Sequence, residues 1–216
     1  EAVERAKLEA LSARIAARFG QRPVAYRAGR YGVGPNSARL LEEAGFRLDS
    51  SVRSRFDYSH QHGPDFQGLP LSPYWAGPNR SLVELPLSTA FVGWMRGGGE
   101  RLYRMAHRME PVAGALARGR ALSRVPLTPE GVPARDAIAA IDALIEEGVR
   151  LLNFSFHSPT LAPGHTPYVR DESDRTAFYL WWDMVLGHLA RRGVLPASID
   201  QFLNAVPARN RACQAA

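Results

Sequence analysis

Residues 151–175, LLNFSFHSPTLAPGHTPYVRDESDR, decide how the chain is read. The apolar run 151–156 stops at His157-Ser158, a loop broken by Pro and Gly follows, and Asp171-Glu172-Ser173-Asp174 opens a helix. A short apolar run bounded by turn signals has the length and flanks of a buried strand. A histidine at the carboxyl end of such a strand, facing a loop and a helix, sits where barrel and open-sheet α/β proteins place their chemistry. The plainer alternative is a histidine that only caps the strand end.

On either side of this stretch the periodicity is helical. Residues 134–147 turn Ile138, Ile141, Leu144 and Ile145 inward and stop at Gly148. Residues 172–192 carry Phe178, Trp181, Trp182, Val185 and Leu189, with the tryptophans read as core anchors rather than as a ligand stack. A short strand at 195–199 and a small helix are expected after it.

Towards the amino terminus, residues 1–19 place Val3, Leu8, Leu11, Ile15 and Phe19 on one face of a helix closed by Gly20. Short strands are expected at 23–26, 46–48, 81–88 and 122–125, with helices at 35–45 and 100–117. The stretch 53–80 is rich in Ser, Gly, Pro, His and aromatics, and a loop of that length is usually functional or partly ordered by short strands. Its His60-Gln61-His62 would put two rings on one face of a strand, but no carboxylate at a known metal spacing accompanies it. The Gly29, Gly32 and Gly34 loop lacks the GxGxxG spacing of a dinucleotide site.

Helices and strands alternate with neither a repeat nor a linker, which points to a single α/β domain with a largely parallel sheet. Right-handed crossovers would then align the strand ends on one face. Arg27, Asp49 and His157 each end a predicted strand, and three polar residues on one rim is what a barrel active site needs.

Composition narrows the function classes. The 216 residues carry a net charge of +6, nearly all of the cations being arginine, with Lys7 the one lysine. Arg101, Arg104 and Arg108 share a helical face, but no aromatic-plus-basic ladder accompanies the cations, so solvated helix faces explain them better than a nucleic-acid partner. Attraction to an anionic polymer stays open. No apolar run approaches the roughly eighteen residues of a membrane span. Cys213 is the single cysteine, so neither a disulfide framework nor a thiolate metal cage is expected. The chain begins at Glu1, and whether the protein is exported or cytoplasmic depends on what precedes it.

Three motifs together resemble the polysaccharide deacetylases of the NodB-homology class, carbohydrate esterase family four. They are Tyr26-Arg27-Ala28-Gly29-Arg30-Tyr31-Gly32, Leu48-Asp49-Ser50-Ser51, and Phe154-Ser155-Phe156-His157-Ser158 with Pro163-Gly164-His165-Thr166-Pro167-Tyr168. The resemblance implies a distorted (β/α) barrel and metal-dependent removal of an acetyl group from a glycan. It implies Arg27 as the arginine that orients the catalytic aspartate, Asp49 as the carboxylate that holds the catalytic histidine, and His157 as the general acid. Tyr31 would lend its backbone N–H to an oxyanion hole, and Ser158 and Tyr168 would line the substrate.

The family's Asp-Asp pair and its His-x-x-x-His pair, which hold the metal, have no counterpart here. The expectation is therefore a partial barrel lacking its first strands, the carboxyl-terminal part of a deacetylase. The divalent metal, zinc by resemblance, would belong to the complete enzyme and none is expected in this chain. The partner would be an acetylated polysaccharide. A non-catalytic descendant that holds sugar through Tyr31, Trp75 and Tyr168 is the alternative.

Overall fold

The computed structural model of the chain describes residues 1–107, 114–116 and 118–206. In chain order the elements are α1 (Ala2–Phe19), β1 (Ala25–Tyr26), α2 (Ser37–Glu43), β2 (Leu48–Asp49), β3 (Tyr74–Ala76), β4 (Leu82–Glu84), β5 (Thr89–Val92), α3 (Gly99–His107), β6 (Ser123–Pro126), α4 (Ala134–Glu146), α5 (Glu172–Arg191) and α6 (Ile199–Ala205). Helix and sheet are mixed, and among the described residues the strands do not close into a barrel.

The main sheet runs β1-β2-β4-β3, with β1, β2 and β4 parallel and β3 antiparallel. The turn at 77–81 is too short for a parallel crossover, so β3 can only return antiparallel onto β4. The Glu42 carboxylate fixes this turn, accepting hydrogen bonds from the N–H groups of Asn79 and Ser81 at 3.1 and 2.7 Å. A second sheet is the antiparallel pair β5-β6. The parallel character expected from the sequence therefore covers only three strands.

The largest core lies between the second sheet and two helices. Ala137, Ala140, Ile141 and Leu144 of α4 meet Val125 and Leu127 on one side and Trp181 and Val185 of α5 on the other. Alanines on α4 leave room for the bulky rings of α5. Trp181 seats its indole by donating to the Val132 carbonyl at 2.8 Å, so the buried N–H is satisfied. A smaller core holds α1 and α2 on the first sheet through Leu8, Leu40, Leu41, Phe46 and Leu82.

Several expectations are corrected. Residues 151–156 form no strand: the segment is extended but makes only isolated bonds, such as Ser88 N–H to the Asn153 carbonyl at 3.1 Å and Ser155 N–H to the Leu127 carbonyl at 3.1 Å. Residues 195–198 likewise run as irregular chain into α6. Of the five apolar residues expected on one buried face of α1, only Leu8 is buried, and Val3, Leu11 and Phe19 are exposed. The buried contact of the helix, Leu8 against Leu40, Leu41, Phe46 and Leu82, covers too narrow a stripe to bury the rest. The helix expected at 100–117 is α3 with further helical residues at 114–116, and Arg108 and Cys213 lie outside the described residues. The 53–80 stretch is ordered in part, by β3, a 3₁₀ turn at Ser59–Gln61 and an Asp57–Asp65 bridge.

Candidate functional site

His157 leaves the extended segment just before a 3₁₀ turn, Ser158–Leu161, and its side chain is 71 % exposed. The carboxylate that holds it is Glu130, whose own side chain is only 6 % exposed. Glu130 accepts from the backbone N–H of His157 at 2.8 Å and from the Thr160 hydroxyl at 2.5 Å, and its second oxygen lies 2.7 Å from Nδ1 of the His157 ring. A carboxylate on Nδ1 selects the tautomer with the proton on that nitrogen, which leaves Nε2 as the atom available to a ligand.

Asp49, expected to hold this histidine, does not touch it. The parallel register sets Asp49 of β2 beside Glu84 of β4, both at the carboxyl ends of their strands and both buried. The two carboxyls share a hydrogen bond. Burial, reinforced by the Asp49 charge, pushes the Glu84 carboxyl up to about 9, so the pair keeps a proton at neutral pH. Burial also raises Asp49, against the pull of its Ser51 and Glu84 hydrogen bonds. Glu84 accepts the Val52 N–H at 3.0 Å, while the Ser51 hydroxyl donates to Asp49 and accepts the Ala28 N–H at 2.8 Å. The pair thereby braces the loops on either side of it from below.

Ser50 joins the two halves of the site. Its hydroxyl receives Arg27 Nη2 at 3.2 Å and Asn153 Nδ2 at 2.8 Å, and donates to the Leu85 carbonyl at 2.9 Å. Arg27 adds a bond from Nε to the Ser50 carbonyl at 3.2 Å. Asn153 thus ties the segment leading to His157 onto the ends of β2 and β4, the work a regular strand would otherwise do.

Above this layer opens a cleft of about 580 Å³ lined by Arg27, Arg30, Tyr31, Arg53, Glu130 and His157, with Tyr58, Phe156 and Tyr168 among its aromatic walls. Arg27, Tyr31, His157 and Tyr168 therefore line one cleft. Asp49 lies outside this lining, and so does Ser158, which begins the 3₁₀ turn. The Tyr31 N–H assigned to an oxyanion by resemblance points instead to the Ala28 carbonyl at 3.3 Å. Trp75 packs with Leu48, Val83 and Leu203 and lines no part of the cleft.

No group of three or more His, Cys, Asp or Glu among the described residues is placed to hold a metal ion. His60 and His62 sit in a 3₁₀ turn and its left-handed cap rather than on a strand, so their rings do not share the face an HxH site needs. The donor set among the described residues does not fit the divalent metal that the resemblance implies.

Glu84 and Glu130 were both missed in the sequence. Each has a signal: Glu84 is the one charged residue inside the strand expected at 81–88, and Glu130 follows the strand expected at 122–125 in the turn Thr128-Pro129-Glu130-Gly131. No helix among the described residues is long and apolar enough to cross a membrane. No protein-family model, curated protein or solved structure matches the chain.

Proposed function

We propose that the cleft is the substrate site of a polysaccharide-deacetylase-type hydrolase, with His157 as the group that protonates the departing amine. The observation that carries this reading is the Glu130–His157 pair, a buried carboxylate aligning an exposed imidazole at the edge of a cleft walled by rings and arginines. In amide hydrolysis water adds to the acetyl carbon, the C–N bond breaks, and the nitrogen must leave with a proton. Nε2 of His157 is the donor for that proton, and Glu130 steadies the imidazolium before transfer. Positioned acid catalysis of this kind contributes about a hundred- to ten-thousand-fold.

The three motifs of the resemblance support the reading by converging. Arg27, Tyr31, His157 and Tyr168 come from separate parts of the chain and meet in one cleft, while Asp49 braces the layer beneath. No metal-holding group is found among the described residues, and the step assigned to His157 is proton delivery to the departing amine rather than the activation of water. The fold belongs with the proposal in the same way, as a partial (β/α) barrel of the deacetylase type.

A second reading, a non-catalytic glycan-binding protein, is favoured by the aromatic walls of the cleft, Tyr31, Tyr58, Phe156 and Tyr168. Acetate release and binding, measured on one set of acetylated oligosaccharides with the full-length gene product, separate the two. Acetate release supports the hydrolase. Saturable binding without acetate supports the binder, and neither signal rejects both.

A further inference from the structure

We propose that this cleft selects glycans bearing an anionic group, a carboxylate or a phosphate, and that Arg30 and Arg53 grip it; the inference rests on the glycan reading above. The lining holds three arginines, Arg27, Arg30 and Arg53, against one carboxylate, Glu130, which is already committed to His157. Among the described residues none of the three arginines forms an ion pair. Arg27 is occupied by Ser50, whereas Arg30 is exposed and makes no hydrogen bond within the described chain.

Arg53 is held ready in a fixed orientation. Its guanidinium lies 4.0 Å from the Phe56 ring centre and 5.1 Å from that of Tyr31, and one N–H donates to the Tyr58 hydroxyl at 3.0 Å. A guanidinium has five N–H donors, so stacking fixes its plane while leaving edge donors for an oxyanion. A planar fork of this kind pairs in bidentate fashion with carboxylate or phosphate.

The backbone adds an independent argument. Arg30 and Tyr31 both adopt left-handed φ, 53° and 57°, although glycines stand at 29, 32 and 34. Such a conformation is disfavoured for any residue that carries a Cβ. Strain placed on the arginine and the tyrosine, rather than on the available glycines, is the pattern of a loop that presents those two side chains. A neutral glycan needs rings; it does not need three arginines without carboxylate partners.

The test is calorimetric titration with three oligosaccharides of equal length: an oligouronate, a phosphorylated glycan and a neutral chito-oligosaccharide. Arg30→Asn suits the left-handed backbone and Arg53→Met keeps the contact with the rings, so both variants should fold. Each should weaken the anionic ligand by about tenfold and the neutral ligand by a clearly smaller factor, and Arg14→Gln on α1 should change neither. Tighter binding of the uronate names carboxylate as the source, and tighter binding of the phosphorylated glycan names phosphate. Equal affinity for the neutral ligand, or anionic binding indifferent to both cleft variants, overturns the inference. Acetate release from a neutral acetylated oligosaccharide that still depends on His157 would then leave the hydrolase reading standing alone.

Discussion

Glu130 clamps His157 at two points, its carboxylate lying 2.7 Å from ring Nδ1 and 2.8 Å from the backbone nitrogen of the same residue. Both contacts must hold for the ring to keep its place, because the segment that delivers it has no strand ladder of its own. Glu130→Gln can satisfy the backbone N–H but loses the charge that favours the Nδ1–H tautomer. Nitrogen chemical shifts of His157 should therefore show a mixed tautomer population in the variant and a single one in the parent. Identical spectra would remove Glu130 as the orienting group.

The Asp49–Glu84 pair sets a pH dependence that runs from the ordinary carboxylate range up to about 9. With Glu84 raised to about 9, the folded state holds a proton that the unfolded state gives up near the ordinary carboxylate value. The contribution of the pair to stability should be fully present below that ordinary value, fall as pH rises towards 9, and level off beyond. The single-proton slope is about 1.4 kcal/mol per pH unit. Glu84→Gln keeps a donor for Asp49 and an acceptor for Val52 but cannot titrate, so denaturant unfolding over this range should give a flatter curve. An unchanged slope would mean the pair holds no shared proton.

Asn153 is the tie between the two sheets. Its amide donates to Ser50, Leu85 and Pro86, and its backbone N–H donates to the Ser88 hydroxyl at 2.8 Å. Asn153→Ala leaves partly buried acceptors without partners and should cost about 1–3 kcal/mol by chemical denaturation. It should also broaden the His157 resonances, since the ring loses its anchor. A variant as stable as the parent would show that solvent replaces the amide without loss.

The core between α4 and α5 makes a separate prediction. Trp181 is 6 % exposed, meets Trp182 edge-on at 4.9 Å and satisfies its indole on Val132. Trp181→Ala should lower stability by about 3–5 kcal/mol. A loss below about 1 kcal/mol would place the ring in a surface groove.

Much of this was legible in the sequence because its signals are local. The Gly148 stop of α4, the acidic start of α5 and its Phe178-to-Leu189 face all follow from turn chemistry and helical spacing, and each appears in the structure. Arg27, Tyr31, His157 and Tyr168 were read from short motifs and do share a cleft. The failures are non-local. Residues 151–156 have a strand's composition, yet their partners, Ser88 and Leu127, each donate or accept one backbone–backbone bond with them instead of forming a ladder. The resemblance pairs Asp49 with His157, but strand register gives Asp49 to Glu84 and leaves the histidine to a turn residue. Register and turn placement are set by packing between segments far apart in sequence, which periodicity does not record.

The most direct test is acetate release by the full-length gene product on an acetylated oligosaccharide, compared with its His157→Gln variant under identical conditions. Turnover should fall by at least about a hundredfold with oligosaccharide affinity unchanged, because the proton donor is lost and the cleft walls remain. Turnover in the variant equal to that of the parent would contradict the assignment of His157 as the acid and, with it, the catalytic reading of the cleft.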